Sequence, residues 1–139
     1  MMQNGNGKKE KKSILVATVD HTIEDSLGRQ LDVSECDVRF VRKGGELLLD
    51  LLEHDVNLLI LDIDLADITG VEILPVIRKM RPRLPVILIS DDYNQKIRKA
   101  AAEQGITYQA SKPISWAETT AIISATNKIM KKCSLVPAM

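Results

Sequence analysis

Two rhythms of apolar and polar positions alternate along the chain. Short runs rich in Val, Ile and Leu predict five strands: ILVATV at 14–19, VRFV at 38–41, LLIL at 58–61, VILIS at 86–90 and ITYQAS at 106–111. ILVATV is continuously apolar, the pattern of a strand covered on both faces in a parallel sheet. Between the runs, apolar residues recur every third or fourth position, which gathers them on one face of a helix. These are Ile23, Leu27 and Leu31; Leu47, Leu48, Leu51 and Leu52; Val71, Ile73, Leu74 and Ile77; an Ala-rich segment; and Ile122, Ala125 and Ile129. Gly44 and Gly45 break the second strand, and MRPRLP ends the third helix. Thr69 with Glu72, Asp92 with Gln95 and Ser115 with Glu118 have the spacing of helix N-caps, while Gly105 closes the fourth helix. Pro75 removes one intrahelical bond and predicts a mild bend.

Five strand–helix units in strict alternation predict an α/β fold, a doubly wound five-stranded parallel sheet with helices on both faces. Such a sheet delivers the ends of its strands to one edge, where open α/β proteins build their sites. The residues delivered there are Asp20, then Asp62 and Asp64, then Ser90 with Asp91 and Asp92, and finally Lys112.

Composition narrows the function. With 139 residues, 45% of them hydrophobic, the chain has the size of one domain. Lys plus Arg and Asp plus Glu both number 19, so no overall field steers it onto nucleic acid or an anionic membrane. No apolar run approaches the roughly 20 residues that span a bilayer, and the first dozen residues lack a signal-peptide core, so a cytoplasmic location is expected. Residues 1–12 are expected to form a disordered tail, 13–133 the domain and 134–139 a C-terminal tail. Cys36 and Cys133 lie far apart with no metal-ligand spacing, and buried or free thiols are the expectation.

The acidic segment LDIDLADITGVE resembles the phosphoacceptor stretch of response-regulator receiver domains, VILIS resembles that family's fourth strand, and SKP its Lys-Pro after the fifth. The resemblance covers residues 13 to 133 and implies the flavodoxin-like strand order 2-1-3-4-5. It further implies a two-component phosphorelay switch in which Asp62 accepts a phosphoryl group from a histidine kinase or phosphotransfer protein. Lys112 would pair with the phosphoryl oxygens, Ser90 would hydrogen-bond them, and Pro113 would aim Lys112 through a bond often cis in the family. Mg²⁺ would be held by Asp20, Asp62 and the backbone carbonyl of Asp64. A downstream protein would dock on the face formed by the fourth helix, fifth strand and fifth helix, with a homodimer as a further possibility. The family consists of signalling domains, not enzymes; no nucleic-acid or membrane contact is implied, and no output domain is expected in this chain.

Three departures accompany the match. Receivers carry two acids at the end of the first strand, whereas this chain reads VATVDH. If Val19 and Asp20 fill those positions one acid survives; if Thr18 and Val19 fill them, both are lost. The first register is favoured because it keeps a carboxylate beside Asp62. Asp91 follows Ser90 where a small residue is usual, and a carboxylate there would repel an incoming phosphate by on the order of 1 to 4 kcal/mol. Gln109 stands at the switch position, normally aromatic, and Tyr108 points to the opposite face.

Two other functions stay open. One is a degenerate receiver that binds a partner without phosphorylation. The other is an Asp-x-Asp phosphatase built on Asp62 and Asp64, opposed by the chain's lack of room for a cap domain. A flavin or nucleotide site has no glycine-rich loop to support it. His21 and His54 are expected at the surface, Asp67 in a turn, and Trp116 partly in the core.

Overall fold

In a computed structural model, residues 11–31, 35–91 and 95–130 are described. The elements run β1 (Lys12–Ala17), α1 (His21–Gln30), β2 (Cys36–Val41), α2 (Gly44–Glu53), β3 (Leu58–Asp62), α3 (Gly70–Met80), β4 (Val86–Ser90), α4 (Gln95–Glu103), β5 (Tyr108–Ser111) and α5 (Trp116–Ile129). All strands pair in parallel, in the order β2-β1-β3-β4-β5. This is the predicted doubly wound architecture.

Alternation along each strand divides the core into two layers. Ile14 and Val16, Leu58 and Ile60, and Ile87 and Ile89 meet Ile23 and Leu27 of α1 and Ile122 and Ile123 of α5. On the other face, Leu15 and Ala17, Leu59 and Leu61, and Val86 and Leu88 meet Leu47 and Leu51 of α2, Ile73, Leu74 and Ile77 of α3, and Ile97 and Ala101 of α4. Tyr108 packs with the first group, opposite Gln109, as alternation requires.

The helix starts follow their local chemistry. The Thr69 side chain accepts from the Glu72 N–H while the Glu72 carboxylate accepts from the Thr69 N–H, so two otherwise orphaned donors at the start of α3 are satisfied. Ser115 caps α5 by accepting from Glu118 N–H. Gly105 has a φ of +66° after α4, a left-handed turn that residues with a Cβ adopt only under strain. α3 continues through Pro75. The cap expected at Asp92 and the tail at 134–139 lie outside the described residues.

Several expectations are corrected. β1 takes in Lys12, one of the dozen residues expected in the tail, and ends at Ala17, short of the predicted Val19. The Thr18 N–H still bonds Val41 O, but the Thr18 hydroxyl accepts from Asp20 N–H at 3.0 Å and turns the chain into α1. Cys36 is buried as expected but disulfide-bonded rather than a thiol. The chain's second cysteine, Cys133, lies outside the described residues. Trp116 is 76% exposed instead of partly in the core, because it occupies the first turn of α5 before that helix's apolar stripe begins.

Candidate functional site

Strand register assembles the site. Ala17 pairs with Leu61, Asp62 with Ile89, and Ser90 with Ser111. Neighbouring parallel strands in step end together, so Thr18, Asp62, Ser90 and Lys112 emerge at one edge of the sheet. Lys112 is fastened there by its N–H, which bonds Ser90 O at 2.8 Å, and is followed by a cis bond to Pro113.

Asp62 has no exposed surface. Its Oδ1 lies 2.8 Å from Lys112 Nζ and accepts from the Asp64 N–H at 3.0 Å. Its Oδ2 accepts from the Thr18 hydroxyl at 2.7 Å. A carboxylate taken out of water is tolerated when it is paired and hydrogen-bonded, and here both oxygens are engaged. Lys112 also reaches Asp64 Oδ2 at 3.3 Å, bridging the enclosed carboxylate and one that is 57% exposed at the rim. Burial lowers the Lys112 pKa, but the hydrogen bond and charge of Asp62, then those of Asp64, outweigh it, and the ammonium is held above its ordinary value.

The loop carrying Asp62 and Asp64 is pinned by two neighbours. The Gly70 N–H bonds Ile63 O at 2.7 Å, and a Cβ on Gly70 would come within 2.9 Å of Ile63 Cα, so only glycine allows this approach. Asp67 does more than form a turn. Its carboxylate accepts from the N–H groups of Gly44 at 2.7 Å and Gly45 at 3.4 Å and so caps α2, and those bonds, that from Gly44 foremost, hold its pKa below the usual carboxylate range.

Asp62, Asp64, Ser90 and Lys112 are therefore brought together as the sequence suggested. Asp20 is not. Its carboxylate accepts from Thr22 N–H at 2.8 Å and caps α1, while Thr18 occupies the place beside Asp62. The structure shows the register in which Thr18 and Val19 stand at the acid positions, which corrects the favoured one. The hydroxyl of Thr18 is the site group that sequence reasoning missed; the only signal was the alternative alignment of VATVDH. Asp91 is exposed. The Gln109 amide donates to the Ser90 hydroxyl at 3.4 Å, so the position normally aromatic makes a polar contact with Ser90. His21 is exposed with its Nδ1 3.2 Å from Glu24 Oε1, and His54 is exposed at the end of α2.

The fold is a five-stranded doubly wound parallel sheet that carries two carboxylates and a lysine in contact at the edge where its strands end. Residues 14–124 match the response regulator receiver domain, and the chain belongs to that family, one of signalling domains. The DNA-binding transcriptional regulator NtrC of Bradyrhizobium sp. (strain RP501 Parasponia) is 31% identical over 111 residues, 80% of this chain and 23% of that protein. The transcriptional regulatory protein PrrA of Mycobacterium bovis is 30% identical over 112 residues, 81% of this chain and 48% of that protein. The chain thus spans about a quarter to a half of the length of these curated relatives. A CheY-like receiver domain protein of Methanospirillum hungatei superposes with a TM-score of 0.75 at 24% identity, covering 88% of this chain and 97% of that one, a likeness of fold.

Receivers generally bind Mg²⁺ in the acidic pocket, and the donor set of this one does not fit the ion. Mg²⁺ needs several free oxygen ligands in octahedral array. Thr18 and Val19 replace the acid pair, Asp20 caps a helix, and both oxygens of Asp62 already have partners. Among the described residues no group of three or more His, Cys, Asp or Glu could hold a metal ion. No helix of the described residues is long and apolar enough to cross a membrane.

Proposed function

We propose that this receiver acts in two-component signalling as a protein-binding module whose surface does not depend on phosphoryl transfer. The observation that carries this reading is the closure of the site: Asp62 has no exposed surface and both its oxygens are engaged by Thr18, Lys112 and Asp64. A phosphodonor must reach such a carboxylate and find its charge neutralised by something other than a lysine already bound to it. The partner is a histidine kinase, a phosphotransfer protein or a downstream effector, docking on the face of α4, β5 and α5. Trp116, 76% exposed in the first turn of α5, supplies the kind of large side chain that anchors such contacts.

Phosphoryl acceptance on Asp62 is the second reading. It is favoured by the 2.8 Å contact of Asp62 with Lys112 and by Ser90 at the matching strand end. There an Asp62 carboxylate oxygen would attack the phosphorus of the phosphodonor as its bond to the donor histidine nitrogen breaks, the nitrogen keeping the electron pair, while Lys112 would pair with the phosphoryl oxygens and Ser90 would hydrogen-bond them. Incubation with acetyl phosphate and Mg²⁺, followed by intact-mass analysis with Asp62→Asn as control, separates the two. The binding-module reading expects no adduct; an adduct lost in Asp62→Asn would replace it with the phosphoacceptor. The docking face is tested separately by Trp116→Ala, expected to weaken capture of the kinase or phosphotransfer partner without changing the fold by circular dichroism.

A further inference from the structure

The β1–α1 turn, where receivers place their metal-binding acids, has its oxygens committed elsewhere in this chain. The Thr18 hydroxyl gives its proton to Asp62 Oδ2 at 2.7 Å and accepts from Asp20 N–H at 3.0 Å, so it is used as donor and acceptor at once. Val19 brings no side-chain oxygen, and its carbonyl accepts from Arg42 Nη2 at 3.0 Å. That guanidinium is held in turn by Glu24 at 3.4 Å, so a fixed cation already stands against the one backbone oxygen Val19 offers. On the other side of Asp62, Oδ1 is shared between Lys112 Nζ and the Asp64 N–H. The enclosed pair of Asp62 and Lys112 is neutral overall, and the remaining carboxylate, that of Asp64, lies at the exposed rim.

We propose that Thr18 and Val19, together with Lys112, leave no coordination place for a divalent cation at Asp62, so that this pocket excludes the cation. The inference rests on the binding-module reading and gives it a cause. To admit a cation at Oδ2, the Thr18 hydroxyl would have to give up its hydrogen bond to Asp62, leaving its proton without the acceptor it has there. The Lys112 ammonium supplies the counter-charge of Asp62, and the Thr18 hydroxyl and the Asp64 N–H complete its hydrogen bonding.

The test is calorimetric titration of Mg²⁺, with Mn²⁺ followed by paramagnetic resonance, into the wild type, Thr18→Val and the double variant Thr18→Asp, Val19→Asp. Wild type and Thr18→Val are expected to show no saturable binding across the millimolar range. The double variant is expected to gain it, with a dissociation constant on the order of millimolar or below. Saturable millimolar binding by the wild type would overturn the proposal, as would a double variant that is folded by circular dichroism yet binds no cation. The two readings fail separately. A phosphoryl adduct on wild-type Asp62 formed in chelator-treated buffer would remove the binding-module reading and leave cation exclusion standing. Cation binding by a wild type that takes no phosphoryl group would do the reverse.

Discussion

At the edge where the strands end, Lys112 lies between two carboxylates, 2.8 Å from Asp62 and 3.3 Å from Asp64. At the edge where they begin, the cation is Arg78 of α3, and its partners are backbone carbonyls. Its Nε donates to Gln104 O at 2.6 Å, its Nη1 to Leu84 O at 2.6 Å and Arg81 O at 3.3 Å, and its Nη2 to Gly105 O at 3.2 Å. Arg81 beside it bonds Leu51 O and, at 3.1 Å, His54 O. These carbonyls lie in the last turns of α2 and α3, just beyond α4 and ahead of β4, where helix dipoles leave partial negative charge and unpaired acceptors. The pKa shifts run in opposite directions accordingly. Burial lowers Arg78 with no carboxylate to offset it, while Asp62 and Asp64 raise Lys112 against the same effect. One edge holds an enclosed carboxylate by matched charge. The other ties helices to strands with a planar fork that satisfies several acceptors at once.

Four experiments break or sharpen this contrast, in falling order of effect. Lys112→Met leaves Asp62 enclosed without its counter-charge, and is expected to cost about 3 kcal/mol or more of unfolding free energy, read from denaturant midpoints. Arg78→Met strands four carbonyls at the opposite edge, but these are partly reachable by water, so a loss of about 2 kcal/mol is expected. Arg78→Lys should recover little of it, because one ammonium cannot span the set. Equal losses at the two edges would show that the carboxylate pair is held no more tightly than the arginine clamp.

The third is alkaline titration of stability. The folded protein holds the Lys112 proton more tightly than the unfolded chain does. The resulting contribution is fully present below the ordinary value of 10.5 and disappears as pH rises through the raised folded value. Thermal midpoints of the wild type should therefore fall above that pH, and Lys112→Met should remove this component of the slope. The smallest effect belongs to Gln109→Leu, which deletes a long 3.4 Å hydrogen bond to Ser90 and should change stability by less than about 1 kcal/mol. Its informative readout is the chemical shift of Trp116 and its neighbours on α5. A response there would show that Ser90 is coupled to the proposed docking face through a polar contact instead of a ring.

The fold was legible because its signals are local. Short apolar runs placed the strands, period-3.6 spacing and an Ala-rich segment placed the helices, and Thr69–Glu72, Ser115–Glu118 and Gly105 marked ends that the structure reproduces. Asp62, Ser90 and Lys112 were legible for a related reason, since each directly follows or ends an apolar run and parallel strands finish at one edge. Thr18 was not. Where a continuous run such as VATV stops depends on a hydroxyl turning back onto Asp20 N–H, which spacing does not express. Asp67 was taken for a turn residue because its acceptor role serves α2, a helix 22 to 23 positions earlier in the chain. The disulfide at Cys36 and the carbonyl clamps of Arg78 and Arg81 were hidden in the same way.

The order of residues thus carries the sheet, its helices and the identity of the carboxylate, serine and lysine at its edge, because these follow from short-range periodicity and from the handedness of parallel crossovers. Only the folded chain decides which donor each oxygen of Asp62 receives, and with that whether the pocket has room for a cation. That choice is made by cross-strand register and by contacts between residues 44 and 50 positions apart, Thr18 and Lys112 against Asp62. Such contacts have free energies set by burial and geometry, which no local pattern records.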